Sequence, residues 1–386
     1  MKICKADLEE IEKKIMEFIS VKSIVGEEFE GAKYLAELMK EWGFKPELQK
    51  VEENRYNVIC RVRLGDEGRR LLLNGHMDTV PPSMDWSLDP FKPFIKDDRL
   101  YGLGAIDMKS GLIVLLYSLK KFLEENKETV NGEIIYSAVV DEEGYSKGAK
   151  KLISELNYDA AIIGEPYDGI HNSVVIGETG KILLSIECIG KAAHAFRPWI
   201  GVNAIEEASK LILKIIEEGA SEDEKFGRLQ PTTLKIEGGY KIYNVTLPER
   251  CIFEVNILTK PEQTDEYFIN WINELAKKAG LKGEVSVKIK EPRYYGYITN
   301  EDSMIVKAFK RAFEEEYGIK PRIGFKATIT DGNIIAMKGV KPLIVYGLRG
   351  GNAHMANEYL ELNSIEKTCK VYIKTISNYL KSEQER

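Results

Sequence analysis

The stretch Leu71–Asp78, with the sequence LLLNGHMD, joins a short apolar run to a histidine and a carboxylate. The apolar run contains no polar residue, which is typical of a strand that is buried on both faces of a sheet. Comparable runs occur at Ile134–Tyr136, Ala160–Ile163 and Leu343–Val345. We therefore expect these four segments to be central strands of one sheet.

Helical patterns lie between these runs, at Ser110–Leu123, Lys147–Leu156 and Thr330–Met337. Strands that alternate with helices along the chain favour an α/β fold, because the crossover between parallel strands is usually a helix. The predicted fold class is α/β, with a mixed, largely parallel sheet flanked by helices.

The middle of the chain has a different pattern. Between residues 181 and 292 the predicted order is strand, helix, strand, strand, helix, strand, which is the β-α-β-β-α-β order of a ferredoxin-like domain. We therefore expect a larger, discontinuous domain formed by residues 1–180 and 293–386. The inserted domain, residues 181–292, interrupts it.

Composition excludes several classes of protein. The 386 residues suffice for two or three domains, and 55 Lys+Arg against 61 Asp+Glu give a net charge of −6. That balance indicates no nucleic-acid partner. The longest apolar run, Leu112–Tyr117, is too short to span a membrane. Five widely spaced cysteines favour a reducing, cytoplasmic location without a disulfide framework.

Histidines and carboxylates follow the predicted strands. In an α/β sheet, ligands bind beyond the carboxyl ends of the strands, and imidazole with carboxylate is a ligand set for zinc, cobalt or manganese. Each element alone has a plainer explanation, such as a solvated turn for Asp141-Glu142-Glu143. Their coincidence at one predicted sheet edge favours a metal site. The candidates in chain order are His76, Asp78, Asp107, Glu142, Glu143, Glu165 and His354.

Competing motifs are incomplete. Gly102 and Gly104 begin a dinucleotide-binding pattern, but Asp107 occupies the position of its third glycine. Gly180-Lys181 resembles the end of a phosphate-binding loop, but Ile182 stands where serine or threonine is needed. The sequence also contains no Gly-x-Ser-x-Gly nucleophile elbow.

Seven motifs occur in order along the chain. They are Gly75–Pro81, Gly102–Gly111, Asp141–Glu143, Glu165-Pro166, Gly190–His194, Gly201–Ile205 and Ala353–Glu358. With these motifs in this order, the whole chain resembles the dinuclear zinc amidohydrolase family of acetylornithine deacetylase, succinyl-diaminopimelate desuccinylase, aminoacylase-1 and carboxypeptidase G.

The resemblance implies two divalent metal ions per subunit, with zinc the first candidate and cobalt or manganese as alternatives. His76 and Glu165 would bind one ion, and Glu143 and His354 the other. Asp107 would bridge the two ions, and the peptide bond that follows it would be cis.

The resemblance also implies catalytic roles. Glu142 would be the general base for a metal-bridging hydroxide, and Asp78 would accept the second ring N–H of His76. His194, in the inserted domain, would reach the active site of a partner subunit and stabilise the oxyanion. The expected assembly is thus a homodimer formed through the inserted domain.

Substrate recognition is less well defined by the sequence. Asn244 matches a substrate-contacting position of the family, although a turn asparagine is the plainer alternative. Arg349 matches no family position, and we single it out as a cation near His354 that could meet a substrate carboxylate. Leu258 stands where many deacylases of the family have a carboxylate-binding arginine.

The expected function is metal-dependent cleavage of the amide bond of an N-acyl amino acid, of the acetylornithine or succinyl-diaminopimelate type. A di- or carboxypeptidase on the same site is the alternative, with a short peptide as substrate. A non-catalytic metal-binding regulatory protein is the third alternative. It is disfavoured because the base Glu142 and every metal-ligand position are present.

Overall fold

The computed structural model describes residues 3–65, 67–126, 130–166, 172–337 and 342–381. They fall into two compact units: unit 1 comprises residues within 1–176, 299–324 and 330–386, and unit 2 comprises residues 177–298 and 325–329. Within the described ranges no helix is both long and apolar enough to cross a bilayer.

Helices and strands alternate along much of the chain. In chain order, the helices are α1 (Lys5–Ser20), α2 (Phe29–Glu41), α3 (Lys109–Asn126), α4 (Lys147–Glu155), α5 (Ala204–Gly219), α6 (Asp265–Lys278), α7 (Met304–Tyr317), α8 (Asp331–Met337) and α9 (Ile365–Lys381). The strands are β1 (Pro46–Glu52), β2 (Arg55–Leu64), β3 (Arg69–His76), β4 (Phe94–Lys96), β5 (Arg99–Tyr101), β6 (Gly132–Val139), β7 (Ala160–Ile163), β8 (Ser173–Glu178), β9 (Gly180–Ile189), β10 (Ser221–Asp223), β11 (Gly227–Leu229), β12 (Thr232–Gly238), β13 (Arg250–Thr259), β14 (Glu284–Tyr294), β15 (Tyr297–Ile298), β16 (Arg322–Lys326), β17 (Leu343–Val345), β18 (Gly350–Gly351) and β19 (Tyr359–Glu361).

The central sheet of unit 1 has the strand order β1-β2-β6-β3-β7-β17-β8. Its middle strands, β6, β3, β7 and β17, are parallel, with Leu71 opposite both Ile134 and Ala160. The strands β1, β2 and β8 join antiparallel at the two sides. The predicted central strands are thereby confirmed, because each fully apolar run is buried on both faces of the sheet.

The helices of unit 1 bury the apolar stripes that their spacing predicts. In α1 the residues Ile11, Ile15 and Phe18 are fully buried, as expected for one apolar face of a 3.6-residue period. The predicted mixed α/β fold is confirmed.

A second, small antiparallel sheet of unit 1 did not follow from the sequence. It has the order β18-β19-β5-β4, and its strands contain only two or three residues each. Tyr359 of β19 lies opposite Tyr101 of β5. This pairing brings the segment that contains His354 to the segment that leads into Asp107.

Unit 2 contains the antiparallel sheet β12-β13-β9-β14. One face of this sheet packs with α5 and α6 to form a separate core. The buried side chains of that core include Ile182, Leu184, Ile186, Leu211, Phe253 and Ile272.

The strands and helices of unit 2 include the order strand, helix, strand, strand, helix, strand, to which the short hairpin β10–β11 and the two-residue strand β15 are added. Strand β14 continues to Tyr294 and contains the cis bond Glu291–Pro292.

Candidate metal centre

His76 is the last residue of β3 and is 1% exposed. Its Nδ1 lies 2.9 Å from the backbone carbonyl of Asp78. Because a carbonyl only accepts, Nδ1 carries a hydrogen, and in the neutral ring Nε2 then carries the lone pair that a metal ion needs. This Nε2 lies 3.1 Å from Oδ1 of Asp107 and 3.4 Å from Oε1 of Glu165.

Asp78 contacts the ring of His76 through a different atom from the one expected. Its carboxylate Oδ1 lies 3.6 Å from Nδ1 of His76, so the backbone carbonyl of Asp78, and not the expected carboxylate, is the nearer acceptor. The carboxylate Oδ2 accepts the backbone N–H of Glu143 at 2.9 Å. Asp78 therefore links the loop after β3 to the loop after β6.

Asp107 lies between β5 and α3, and the peptide bond Asp107–Met108 is cis, as the resemblance implies. Its Oδ2 lies 3.2 Å from Nε2 of His354, while Oδ1 meets His76. The same Nε2 of His354 lies 2.9 Å from Oε1 of Glu143. Each oxygen of Asp107 thus faces a different histidine.

The donor atoms form groups of metal-binding size. His76, Asp107 and Glu165 have ligand atoms within 4.8 Å of one another, and so do Asp107, Glu143 and His354. Both groups combine an imidazole nitrogen with carboxylate oxygens, the set that zinc, cobalt and manganese accept. Carboxylates outnumber imidazoles in both, so divalent cations would offset the excess negative charge. The residues therefore fit two ions that share Asp107.

The electrostatics of the two histidines reflect these carboxylates. Burial alone would lower the pKa of His76, but Glu165 and Asp107 raise it well above its usual range. Hydrogen bonds to Asp107 and Glu143 raise the pKa of His354 to about 10. Burial would raise the pKa of Asp107, yet the two histidines hold it below its usual range.

Glu142 precedes the ligand Glu143 in the loop after β6. A carboxylate oxygen of Glu142 lies within 4.8 Å of a ring nitrogen of His76 and of an oxygen of Glu143. Burial raises the pKa of the Glu142 carboxyl group well above the usual range; His76 opposes this shift, and Glu165 and Asp331 add to it. A carboxyl group with a raised pKa is suited to exchange protons near neutral pH.

Glu358 is a residue of the site to which the sequence assigned no role. It is 1% exposed, and its carboxylate accepts the backbone N–H groups of Gly104 at 2.9 Å, Ile106 at 2.8 Å and Asp107 at 3.0 Å. Burial raises its pKa to about 7, against the lowering effect of these bonds. The motif Ala353–Glu358 drew attention to this residue in the sequence. Its role could not be predicted from the motif, because its hydrogen-bond partners are distant in sequence.

Lys109 is a second such residue. Its side chain is fully buried, and Nζ donates to the carbonyls of Val21 at 2.6 Å and Phe18 at 3.2 Å. Burial lowers its pKa to about 7. Lys109 ties the start of α3, directly after Asp107, to the end of α1.

His194 and Asn244 lie in unit 2, and both are exposed. The structure brings their segments together, because His194 forms an antiparallel bridge with Thr246. The backbone N–H of Phe196 donates to Nδ1 of His194 at 3.2 Å. In the neutral ring Nε2 then carries the hydrogen and can donate it.

Arg349 has partners that the sequence did not indicate. Its guanidinium donates to Oδ1 of Asn363 at 2.6 Å and lies 3.5 Å from Oε2 of Glu361. The structure thus places Arg349 beside Glu361, and its contact with a substrate carboxylate stays a prediction. The remaining histidine, His171, lies outside the described residues.

Curated proteins resemble this chain over most of its length. A curated relative, the succinyl-diaminopimelate desuccinylase of Nautilia profundicola, is 28% identical over 373 residues, which is 94% of this chain and 97% of that protein. The desuccinylase of Nitratiruptor is 28% identical over 332 residues, covering 84% of this chain and 88% of the relative.

Solved structures share the fold. The aminopeptidase PepT of Bacillus cereus superposes with a TM-score of 0.78 at 23% identity, covering 96% of this chain and 98% of that chain. A dinuclear metal-binding peptidase of Bacillus subtilis gives a TM-score of 0.74 at 14% identity, covering 98% and 100%. The model of peptidase family M20/M25/M40 matches residues 72–378. The chain belongs to this family and is a metal-dependent hydrolytic enzyme.

Proposed function

We propose that this enzyme hydrolyses the amide bond of an N-acyl amino acid of the acetylornithine or succinyl-diaminopimelate type. The observation that carries the proposal is the position of Asp107, whose two oxygens lie 3.1 Å and 3.2 Å from different histidines. A carboxylate shared in this way supports a two-ion site, which suits amide hydrolysis. Zinc is the proposed ion, with cobalt or manganese as alternatives.

Several of the residues would hold the metal ions, and Glu142 would transfer the proton. His76 and Glu165 would hold one ion and Glu143 and His354 the other. When bound, the ions supply Lewis acidity towards a carbonyl oxygen and make water a stronger nucleophile. Glu142 takes a proton from the attacking water and delivers it to the leaving amine.

His194 would complete the site from a partner subunit. The hydrogen on Nε2 of His194 suits donation to an oxyanion, which is the role proposed for it. Asn244, whose segment pairs with that of His194, would contact the substrate.

A homodimer formed through unit 2 is part of the proposal, with unit 2 as the inserted domain. Large apolar side chains are exposed there in number, and contiguous exposed apolar surface marks interaction sites. These side chains include Phe196, Trp199, Leu213, Leu234, Ile236, Ile242 and Tyr243. The free cysteines of the described residues support a reducing, cytoplasmic location.

A di- or carboxypeptidase is the second candidate function. Leu258, in β13, lies opposite Lys181 of β9 and stands at the position where arginine binds the substrate carboxylate in many deacylases of the family. An apolar side chain cannot bind such a carboxylate, so Leu258 removes an argument for the acyl amino acid, and the peptidases that share the fold support this second candidate.

The substitution Glu142→Gln tests the proposed base. We expect kcat to fall by about 10²- to 10⁴-fold, because general-base catalysis contributes roughly this much, while the metal content stays at the wild-type value. Glu155→Gln, at the exposed end of α4, is the matched control and should keep full activity. Near-wild-type kcat in Glu142→Gln would contradict the role of Glu142.

A hydrolysis panel at defined metal composition separates the two candidate functions. N-acetyl and N-succinyl amino acids are compared with di- and tripeptides by kcat/KM. The first proposal requires that an acyl amino acid is the best substrate. A peptide whose kcat/KM clearly exceeds that of every acyl amino acid would favour the peptidase.

A further inference from the structure

Arg55, the first residue of β2, joins three carboxylates that come from separate segments of unit 1. It is 7% exposed. Its Nε donates to Oε2 of Glu28 at 2.8 Å, and one terminal nitrogen donates both to the other oxygen of Glu28 and to Oδ1 of Asp141, the latter at 2.7 Å. The second terminal nitrogen donates to Glu52 at 2.9 Å.

Glu28 connects this guanidinium to the loop after β3. The side chain of Glu28 is fully buried, and the segment just before it runs beside that loop. Val25 donates its N–H to the carbonyl of Thr79 at 2.9 Å, and the hydroxyl of Ser23 donates to the carbonyl of Met77 at 2.7 Å. The loop that follows His76 is therefore held against the segment that Arg55 anchors.

Asp141 connects the same guanidinium to the loop after β6. Its Oδ2 accepts the N–H groups of Tyr145 at 3.1 Å and Lys147 at 3.3 Å, and its carbonyl accepts the N–H of Ser146 at 2.6 Å. Asp141 itself has a φ of 71°, in the left-handed region that non-glycine residues rarely adopt. Glu142 follows directly, so its direction depends on how Asp141 is held.

The electrostatics explain why an arginine is needed at this position. Two buried carboxylates, Glu28 and Asp141, face one cation. The guanidinium makes four donor contacts with these two carboxylates and Glu52, one more than the three N–H donors of a lysine ammonium group could supply, and the ammonium group also lacks the planar fork. Removal of the cation leaves two buried charges uncompensated, which is strongly unfavourable.

We propose that Arg55 is a positioning residue that fixes the carboxylate of Glu142 relative to His76. It acts by tying the loops after β3 and β6 to one guanidinium. This inference rests on the proposed function, in which Glu142 is the base. Arg55 acts through Asp141 and Glu28.

The substitutions Arg55→Lys and Arg55→Ala test the inference. We expect kcat to fall by about 10- to 100-fold in each, the usual effect of losing a partner that orients a site, with KM and metal content near their wild-type values. Millimolar guanidinium ion should restore part of the kcat of Arg55→Ala and none of that of Arg55→Lys. Asp141→Asn, which keeps the size of the side chain, should lower kcat in the same way.

Arg293→Ala is the matched control. Arg293 is also 7% exposed, and its Nε donates to Asp265 at 2.7 Å, but it lies in unit 2. Its loss should affect stability, and guanidinium ion should leave its kcat per folded molecule unchanged.

Three results would overturn the inference. The first is a wild-type kcat in Arg55→Lys. The second is a loss of activity in the Arg55 variants that is fully explained by a smaller folded fraction. The third is a rise in the kcat of Arg293→Ala with guanidinium ion that equals the rise in Arg55→Ala. If the Arg55 variants do not fold, wild-type kcat in Asp141→Asn overturns it. A failure of the proposed function can be told apart from a failure of this inference, because it would appear as retained activity in Glu142→Gln.

Discussion

At the residue scale, the chemistry of the metal centre depends on side chains that directly follow buried strands. His76 ends β3, Glu165 follows β7 and Glu143 follows β6. Such residues can be predicted from the sequence, because the apolar run fixes the strand and the next polar residues must lie at its carboxyl end. Their partners are harder to predict, since they depend on contacts between distant segments.

Glu358 carries the first prediction at this scale. The backbone N–H groups of Gly104, Ile106 and Asp107 donate to its two oxygens, and a glutamine offers only one acceptor oxygen. Glu358→Gln should therefore weaken metal binding by about 10- to 100-fold. Metal titration followed by calorimetry measures the change.

The control for Glu358→Gln is Glu361→Gln in the same segment, at the end of β19, whose carboxylate lies near Arg349. Its metal affinity should equal that of the wild type. Equal affinities in Glu358→Gln and the wild type would show that Glu358 does not orient the Asp107 loop.

At the residue scale, the acceptor atom for the His76 ring differs from the expected one, and the substrate contact of Arg349 stays a prediction. The ring of His76 bonds the backbone carbonyl of Asp78 rather than its carboxylate, and Arg349 pairs with Glu361. The sequence names the residue but not the torsion angles that choose between its backbone and side-chain acceptors. It therefore cannot assign the acceptor atom.

At the element scale, long and fully apolar segments were predictable and very short ones were not. β7 and β17 have the bounds Ala160–Ile163 and Leu343–Val345 that their apolar runs indicate. The small sheet β18-β19-β5-β4 was missed, because two or three residues are too few to show a period of two. Yet this sheet brings the His354 and Asp107 segments together.

Asp7 carries the prediction at the element scale, because it joins α1 to α3. The hydroxyl of Tyr117 donates to Oδ1 of Asp7 at 2.6 Å, the N–H of Cys4 donates to Oδ2 at 2.7 Å, and Lys121 lies 2.9 Å away. Burial would raise the pKa of Asp7, but these partners hold it below its usual range. Asp7→Asn should lower the free energy of unfolding at pH 7 by about 1–3 kcal/mol.

The pH dependence of this effect follows from the direction of the shift. Because the pKa of Asp7 is lower in the folded state, its charged carboxylate stabilises the fold at pH values above the unfolded-state pKa of about 3.9. That stabilisation is lost as the pH falls towards the pKa of the folded state. Urea unfolding of both proteins between pH 7 and pH 3 should show the difference shrinking below about pH 4. The exposed Glu9→Gln is the control, and a pH-independent difference for Asp7→Asn would contradict this account.

At the scale of the whole molecule, the proposed dimer leads to a complementation experiment. His194→Ala and Glu142→Ala are each inactive by the proposal. In a mixed dimer, one site receives an intact Glu142 from its own chain and an intact His194 from the partner. Random exchange of equal amounts should then restore about one quarter of wild-type activity, since about half of the dimers are mixed and each has one complete site.

Mixing each variant with itself is the control and should restore nothing. Absence of recovery, in samples in which mass spectrometry proves subunit exchange, would place the action of His194 within its own subunit or remove it from catalysis.

The position of β17 in the sheet has a consequence for biosynthesis. β17 lies between β7 and β8 in the sheet. Along the chain, however, the strands β9 to β16, which include the main sheet of unit 2, come between β8 and β17. A ribosome must therefore translate the chain as far as Val345 before this gap in the sheet can close. Until then the unpaired edges of β7 and β8 are open to wrong partners. His354, which follows β17, joins the other ligands later than any of them.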